Sequence, residues 1–126
     1  MGINRDIHIL VVDDHESMRW IIKQALNDLG FKNVEMADDG STALPKLKSG
    51  KFDFLVSDWN MPKMQGIDLL KAVRSDSELS DLPVLMIAEE AKKAEILEAA
   101  RSGVSDYVIK PFNRETLKAK IENVFS

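Results

Sequence analysis

The sequence predicts an α/β fold in which a parallel β-sheet is covered on both faces by helices. Five short apolar segments, rich in β-branched residues and without a helical period, recur along the chain. Each is followed by a segment in which apolar residues recur at helical spacing. Near-continuous apolar strands joined by helices are typical of parallel sheets buried on both faces. Right-handed crossovers then produce a doubly wound, three-layer sandwich.

The predicted strands and helices alternate from one end of the chain to the other. We expect strands at residues 7–12, 34–37, 52–57, 83–87 and 106–109. We expect helices at residues 18–29, 40–48, 67–74, 91–101 and 117–125. Pro45 falls inside the second helix. Because proline removes a hydrogen bond and clashes with the preceding turn, we expect that helix to be kinked or to start late.

Length and composition exclude several classes of protein. The 126 residues suit one hydrophobic core, so we expect a single domain over 1–126, without an output domain and monomeric. The absence of cysteine excludes disulfide scaffolds, thiol catalysis and cysteine-rich metal sites. No segment is long enough to span a membrane and no secretory signal opens the chain, so we expect a cytoplasmic location. The net charge of −4 argues against nucleic acid as a partner.

Three carboxylates directly follow predicted strands: Asp13 and Asp14 after the first, and Asp58 after the third. In doubly wound sheets, ligands bind beyond the carboxyl ends of the strands, where the strand order reverses. In a flavodoxin-like (βα)5 sheet of order 2-1-3-4-5, strands one and three are neighbours at that point, so these acids should converge. Like charges packed together need a cation, and oxygen ligands suit Mg²⁺. The sequence therefore predicts a magnesium site.

Lys110 ends the fifth predicted strand and precedes Pro111, which constrains the backbone where the lysine must be aimed. Its ammonium could reach an incoming phosphoryl oxygen or hold Asp58 in place. A carboxylate nucleophile, a divalent cation and a lysine together suit phosphoryl transfer, in which catalysis is mostly positioning and charge neutralisation. The alternative is that the acids are helix caps and solvated loop residues.

Four segments together resemble the receiver domains of two-component response regulators. They are VVDD at 11–14, SDWNMP at 57–62, LPVLMI at 82–87 and YVIKPF at 107–112. They occur in order, each at the matching strand end, and the similarity covers nearly the whole chain. Within that family the chain is most similar to the single-domain chemotaxis regulators.

The resemblance implies a phosphorylation site. Asp58 would accept a phosphoryl group from a histidine kinase, and Lys110 would contact that group. Asp13, Asp14, Asp58 and the backbone carbonyl of Asn60 would bind Mg²⁺. Such a domain assists its own phosphorylation and dephosphorylation, but it is not best classed as an enzyme.

The resemblance also implies a switch and an output face. The Lys110–Pro111 peptide would be cis, and Tyr107 would turn inward on activation, unless it only packs at the strand edge. A flagellar motor switch protein or a similar partner would bind the face formed by the fourth helix, fifth strand and fifth helix, and a phosphatase is a possible further partner. The face would include Ala91, Lys93, Ile96, Tyr107, Ile109 and Lys120.

Two residues depart from the family pattern. Ala88 stands where a Thr or Ser hydroxyl usually bonds the phosphoryl group, and Glu89 stands where the residue is usually very small. Losing one charge-assisted hydrogen bond costs roughly 1.5–3 kcal/mol. Glu89 would also repel phosphate if it points toward the pocket. Phosphorylation would then signal weakly, and the domain would act as a phosphate sink or as a phosphorylation-independent interaction module.

A third reading is a phosphatase with an aspartate nucleophile, suggested by Asp58-Trp59-Asn60. Such enzymes usually carry a second aspartate two residues on, where this chain has Asn60, and a cap insertion for which the chain is too short. Trp59 is expected to be a partly exposed loop residue, and Trp20 to lie on the surface. His15 is expected to lie near the pocket without binding the metal, because Mg²⁺ prefers oxygen.

Overall fold

In residues 3–61, 63–89 and 92–126, which the computed structural model describes, five strands and five helices alternate. The strands are β1 His8–Val12, β2 Asn33–Ala37, β3 Phe54–Asp58, β4 Val84–Ala88 and β5 Asp106–Ile109. The helices are α1 Glu16–Asp28, α2 Gly40–Lys48, α3 Gly66–Ser75, α4 Lys93–Arg101 and α5 Arg114–Val124. All neighbouring strands pair in parallel, in the order β2-β1-β3-β4-β5. The predicted doubly wound, flavodoxin-like sheet is confirmed.

The register of the sheet brings the carboxyl ends of its strands together. Val12 pairs with Ser57, so the residues that follow them come from adjacent strand ends. Asp58 pairs with Ile87, and Ala88 at the end of β4 pairs with Ile109 at the end of β5. Residues far apart in the sequence therefore meet along one edge of the sheet.

The hydrophobic core is divided by the sheet into two layers. Leu10 and Val12 face one layer, which is completed by apolar residues of α2, α3 and α4. Ile9 and Val11 face the other, which is completed by residues of α1 and α5. Since successive side chains of a strand point to opposite faces, this alternation follows directly from the extended backbone. The central strands β1, β3 and β4 are mostly apolar because both of their faces are buried, whereas the edge strand β2 also carries Asn33 and Glu35.

The second helix begins where the sequence places it, and the expectation of a late start caused by Pro45 is wrong. Asp39 is its N-cap: the carboxylate accepts hydrogen bonds from the backbone of Ser41 at 2.7 Å and Thr42 at 3.2 Å. The Thr42 hydroxyl completes a capping box with the Asp39 backbone. A capping box satisfies the free donors of the first turn, so the helix begins at Gly40 and runs through the proline.

Both ends of β5 are as predicted, and no other boundary differs from its predicted position by more than three residues. The largest difference is in α5, which begins at Arg114, three residues before the predicted start at residue 117. The Asn113 side chain caps this helix by accepting a hydrogen bond from the Thr116 backbone at 2.8 Å. The apolar stripe marks only the part of a helix that packs, whereas the cap fixes its first turn. None of the helices in the described part of the chain has the length and apolar content to cross a membrane.

Candidate functional site

The carboxyl edge of the sheet holds a buried cluster of charged side chains. Asp13 follows β1, where its backbone N–H donates to Ala37 of β2, and its side chain is wholly buried. Asp58 ends β3 and is 3% exposed. The ammonium of Lys110 lies 3.2 Å from Asp58 Oδ1 and 3.7 Å from Asp13 Oδ2. The structure thus brings together three of the side chains that the sequence singled out.

The backbone holds Lys110 at this position. Its N–H donates to the carbonyl of Ala88 at 2.7 Å, which continues the pairing of β4 with β5 by one residue. The following Lys110–Pro111 peptide is cis, as the resemblance implies. The lysine side chain is only 14% exposed. The half-buried ammonium of Lys110 therefore lies opposite the carboxylates at the end of β5.

The electrostatic environment of Asp58 is unusual for a carboxylate. Burial, and then the neighbouring charge of Asp13, raise the pKa of the Asp58 carboxyl to about 6. The charge of Lys110 and its hydrogen bond act in the opposite direction and lower this pKa. The Lys110 ammonium thus does not fully offset the effects of burial and of Asp13 on the pKa of Asp58. A further positive charge at this position would stabilise the Asp58 carboxylate.

The cluster fits a hard divalent cation. Asp13 Oδ2 and Asp14 Oδ1 are buried, and neither accepts a hydrogen bond within the described residues. Buried polar atoms normally have partners, so such atoms are often the ligands of an ion. Three carboxylates and no sulfur donor constitute the oxygen-rich ligand set that Mg²⁺ prefers. The backbone carbonyl of Asn60, two residues after Asp58 in the loop, stays a predicted ligand.

Close packing at Gly66 fixes the other side of the cluster. Its N–H donates to the Trp59 carbonyl at 2.9 Å, which holds the start of α3 against the end of β3. A Cβ atom at Gly66 would lie 2.2 Å from the backbone oxygen of Asp58. Only glycine allows this approach, so Gly66 is a structural determinant of the position of Asp58 that the sequence analysis did not identify.

The two residues that depart from the family pattern both border the site. Ala88 is half-buried at the end of β4, and its carbonyl holds the backbone of Lys110. Glu89 is exposed, but it lines an open groove of about 620 Å³ together with His15, Lys110 and Phe112. Glu89 is thus an exposed residue that lines the same groove as Lys110.

Trp59 is buried at 6% exposure, so the expectation of a partly exposed loop aromatic is wrong. Its N–H donates to the carbonyl of Ile87 at 2.8 Å, which extends β3 beyond Asp58 and directs the indole inward. It borders a narrow cleft together with Ala88 and Tyr107. Trp20, by contrast, is 48% exposed on α1, as predicted.

The residues of the predicted output face occupy α4, β5 and α5. Lys93 is exposed at the start of α4, while Ile96, Tyr107, Ile109 and Lys120 are half-buried. The ammonium of Lys120 lies 5.2 Å from the centre of the Tyr107 ring and 3.4 Å from Asp106 Oδ1. Lys120 of the last helix thus contacts the Tyr107 ring, whose apolar packing is with the layer of α2, α3 and α4. Ala91 lies outside the described residues.

His15 contacts the acidic cluster more closely than the sequence analysis anticipated. Its Nδ1 atom lies 3.2 Å from Asp14 Oδ1 and 3.4 Å from Asp13 Oδ1. The position of His15 directly after Asp13 and Asp14 indicates that it lies near them. The spacing alone does not predict the direction of a side chain at the start of a helix.

Fold and site together define a class of protein, the response regulator receiver domain. The profile of that family matches residues 9–122, and the chain belongs to the family. Within it, the chain is a CheY-like chemotaxis receiver. It is 58% identical over 123 residues to the chemotaxis protein CheY-3 of Vibrio cholerae serotype O1, covering 98% of this chain and 95% of that protein. It is 62% identical over 117 residues to the chemotaxis protein CheY of Pseudomonas aeruginosa, covering 93% and 94%.

Solved structures agree with this assignment. The structure of the Vibrio cholerae chemotaxis protein CheY4, crystallised at low pH, matches with a TM-score of 0.88 at 38% identity and covers 94% of this chain and 98% of that one. A response regulator receiver domain protein from Clostridium thermocellum matches with a TM-score of 0.84 at 24% identity, covering 94% and 93%. The second similarity concerns the fold alone.

Proposed function

We propose that Asp58 accepts a phosphoryl group from a histidine kinase, and that this chain signals by changing its affinity for a partner protein. The observation that carries the proposal is the contact of 3.2 Å between Lys110 Nζ and Asp58 Oδ1 at the carboxyl edge of the sheet. Asp58 is the nucleophile, and it is held at a strand end with its backbone fixed on both sides. Lys110 stabilises the negative charge of the transferred group.

Mg²⁺ would be held by Asp13, Asp14, Asp58 and the carbonyl of Asn60. When bound, it supplies the positive charge that neutralises phosphoryl oxygens. The protein contributes buried oxygen atoms on Asp13 and Asp14 that accept no hydrogen bond within the described residues. It also orients the acceptor, since the Trp59 and Gly66 backbone bonds hold the end of β3.

The response would pass from the site to the face formed by α4, β5 and α5. Ala88 and Tyr107 border the same cleft, so a change at the end of β4 reaches the tyrosine ring directly. The partner would be a flagellar motor switch protein or a similar component, in line with the chemotaxis proteins to which the chain is similar. The surface would include Lys93, Ile96 and Lys120.

A second candidate function is supported by Ala88 and Glu89. Ala88 offers no hydroxyl at the end of β4, and Glu89 places a negative charge on the groove beside Lys110. Both features oppose a strong response to phosphorylation. The domain would then take up phosphoryl groups without strong output, or bind its partner independently of phosphorylation.

The fluorescence of Trp59 tests the primary proposal. Trp59 is buried next to the acceptor, and replacing the exposed Trp20 by phenylalanine leaves it as the single tryptophan. In this background, the protein is titrated with Mg²⁺ and then with beryllofluoride, which mimics a phosphoryl group. We expect an emission change that requires both additions and is absent in Asp58→Asn.

The outcomes separate the two candidates. A response to beryllofluoride that also changes binding to a purified motor switch protein supports the phosphorylation-dependent regulator. A fluorescence response with unchanged partner affinity supports the phosphate sink or the phosphorylation-independent module. No response to beryllofluoride in a folded protein that binds Mg²⁺ would contradict the acceptor role of Asp58.

A further inference from the structure

We propose that His15 gives the acidic pocket a nitrogen ligand, so that the pocket binds borderline transition metals such as Zn²⁺ and Co²⁺ in addition to Mg²⁺. The inference rests on the proposed metal site and defines its selectivity. The ligands would be the imidazole of His15 and the carboxylates of Asp13 and Asp14.

The imidazole is directed at the acids and not at the helix that it precedes. His15 is the N-cap residue of α1, with extended backbone angles of φ −98° and ψ 119°, but its side chain makes no capping hydrogen bond. Its Nδ1 atom instead lies 3.2 Å from Asp14 Oδ1 and 3.4 Å from Asp13 Oδ1. The side chain is 66% exposed, so an ion can reach it from solvent.

These separations suit ligands of one ion. Ligands at about 2.0–2.1 Å from a metal are about 2.9–3.4 Å apart in octahedral and tetrahedral sites. The nitrogen therefore lies at a ligand-to-ligand distance from both carboxylates. One ligand atom from each of Asp13, Asp14 and His15 lies within 4.8 Å of the other two, close enough for the three to bind one ion.

A second observation is independent of this spacing. The Asp13 side chain is wholly buried, and its Oδ1 atom accepts a hydrogen bond from the His15 backbone at 2.8 Å. Its Oδ2 atom accepts none within the described residues, and Lys110 Nζ is 3.7 Å away, beyond a hydrogen bond. Asp14 Oδ1, the atom 3.2 Å from the imidazole, is likewise buried without a hydrogen bond among the described residues. Two buried carboxylate oxygens without a hydrogen-bond donor mark where a cation would bind.

The chemistry of the ligands determines which cation the added imidazole binds more tightly. Imidazole suits Zn²⁺, Co²⁺ and Ni²⁺, whereas Mg²⁺ takes oxygen ligands and keeps several waters. Adding one nitrogen to a carboxylate pair therefore favours the transition ions and leaves the affinity for Mg²⁺ nearly unchanged. The sequence contains no cysteine and one other histidine, His8, at the opposite end of β1 from Asp13.

That second histidine provides a matched control. We would measure Zn²⁺ and Mg²⁺ binding by calorimetry in the wild-type protein, His15→Gln and His8→Gln, without phosphodonor. The visible absorption of bound Co²⁺ reports a nitrogen ligand directly. We expect His15→Gln to lose about 10- to 100-fold in Zn²⁺ affinity and to change the Co²⁺ spectrum, since losing even an indirect metal partner costs that much. His8→Gln should match wild type, and Mg²⁺ affinity should agree within about twofold in all three.

Equal Zn²⁺ affinity in wild type and His15→Gln would overturn the inference and would leave the imidazole as an electrostatic neighbour of the acids. Zn²⁺ binding that depends on His8 would also overturn it. Failure of all three proteins to bind Mg²⁺ would contradict the proposed function, yet Zn²⁺ binding that depends on His15 would still support the present inference. Circular dichroism confirms that each variant is folded.

Discussion

Lys110 Nζ lies 3.2 Å from Asp58 Oδ1, and this contact joins the ends of two strands that are not neighbours in the sheet. Between them lies β4, whose last carbonyl, that of Ala88, fixes the lysine backbone at 2.7 Å. The distance between the Asp58 carboxylate and the Lys110 ammonium is therefore determined by the pairing of three strands and not by a flexible loop. Substitutions around this edge should have effects that can be separated from one another.

The first prediction concerns pH and stability. The folded-state pKa of Asp58 is about 6, above its ordinary value of 3.8, so the folded chain binds more protons between these values. Stability should therefore fall as the pH rises through that window. In metal-free buffer near pH 7, Asp58→Asn should raise the free energy of unfolding by about 1–3 kcal/mol.

Urea unfolding in the presence of a chelator measures the free energy of unfolding of both proteins. The extra stability of Asp58→Asn should diminish below about pH 4. Glu122→Gln removes an exposed carboxylate of α5 and should show no such gain. A destabilised Asp58→Asn protein at neutral pH would show that Lys110 outweighs burial and Asp13 at this position.

The second prediction concerns the missing hydroxyl. Ala88→Thr places a donor at the end of β4, beside the backbone of Lys110. One hydrogen bond to a charged group is worth about 1.5–3 kcal/mol, so beryllofluoride should bind roughly 10- to 100-fold more tightly. Ala88→Val has the shape of threonine without the hydroxyl and should not share the gain. Equal affinities in the two variants, measured by Trp59 fluorescence, would attribute any gain to packing.

The third prediction concerns access to the acceptor. Glu89 lines the groove beside Lys110, where its charge opposes an approaching phosphoryl donor. Glu89→Gln keeps the size and removes the charge, and should accelerate phosphorylation by acetyl phosphate roughly two- to tenfold at low ionic strength. Added salt should reduce the difference. If only Glu89→Ala accelerates the reaction, the side chain acts by its bulk.

The fourth prediction concerns the packing of α3 against β3. In Gly66→Ala, the new methyl group would lie 2.2 Å from the Asp58 backbone oxygen, so the strand end or the helix must move. Overpacking of this kind costs about 1–3 kcal/mol or more, and the beryllofluoride response should weaken with it. Gly50→Ala serves as the control.

Gly50 has a φ of +85° with open space around its Cβ position, so alanine there meets backbone strain of about 1–2 kcal/mol without touching the site. Denaturant unfolding and beryllofluoride titration of both variants provide the comparison. A normal beryllofluoride response in Gly66→Ala would show that Gly66 does not set the acceptor position.

The fold and the centre of the site could be predicted because each follows from a simple rule. Apolar periodicity predicts the alternating elements, and the rule that ligands bind at the carboxyl ends of parallel strands predicts that Asp13, Asp58 and Lys110 lie together. The inward direction of Trp59 could not be predicted, because it depends on the hydrogen bond to Ile87 that extends β3. Such bonds form between segments distant in sequence, and no local pattern encodes them.

Two other features, the starts of α2 and α5, are encoded by local polar residues in the sequence. Asn113 and Thr116 carry the polar side chains of a helix start, but the apolar stripe dominated the prediction of α5. Pro45 alone predicts a late start of α2, because a proline inside a helix removes a hydrogen bond. The capping box of Asp39 stabilises the first turn and offsets that loss. A capping residue that favours a helix start and a proline that disfavours the helix must be considered together. In α2 the capping residue prevails.

The division of the core by the sheet has a consequence for how the pocket communicates. Ala88, Trp59 and Tyr107 pack with the layer of α2, α3 and α4, whereas Met18 and Phe112, on the groove beside Lys110, pack with the layer of α1 and α5. One carboxylate is thus served by two separately packed sides. On the proposed function, we expect substitutions beside Phe112 to change mainly the rate at which Asp58 is phosphorylated, and substitutions beside Tyr107 to change mainly the affinity for the partner protein.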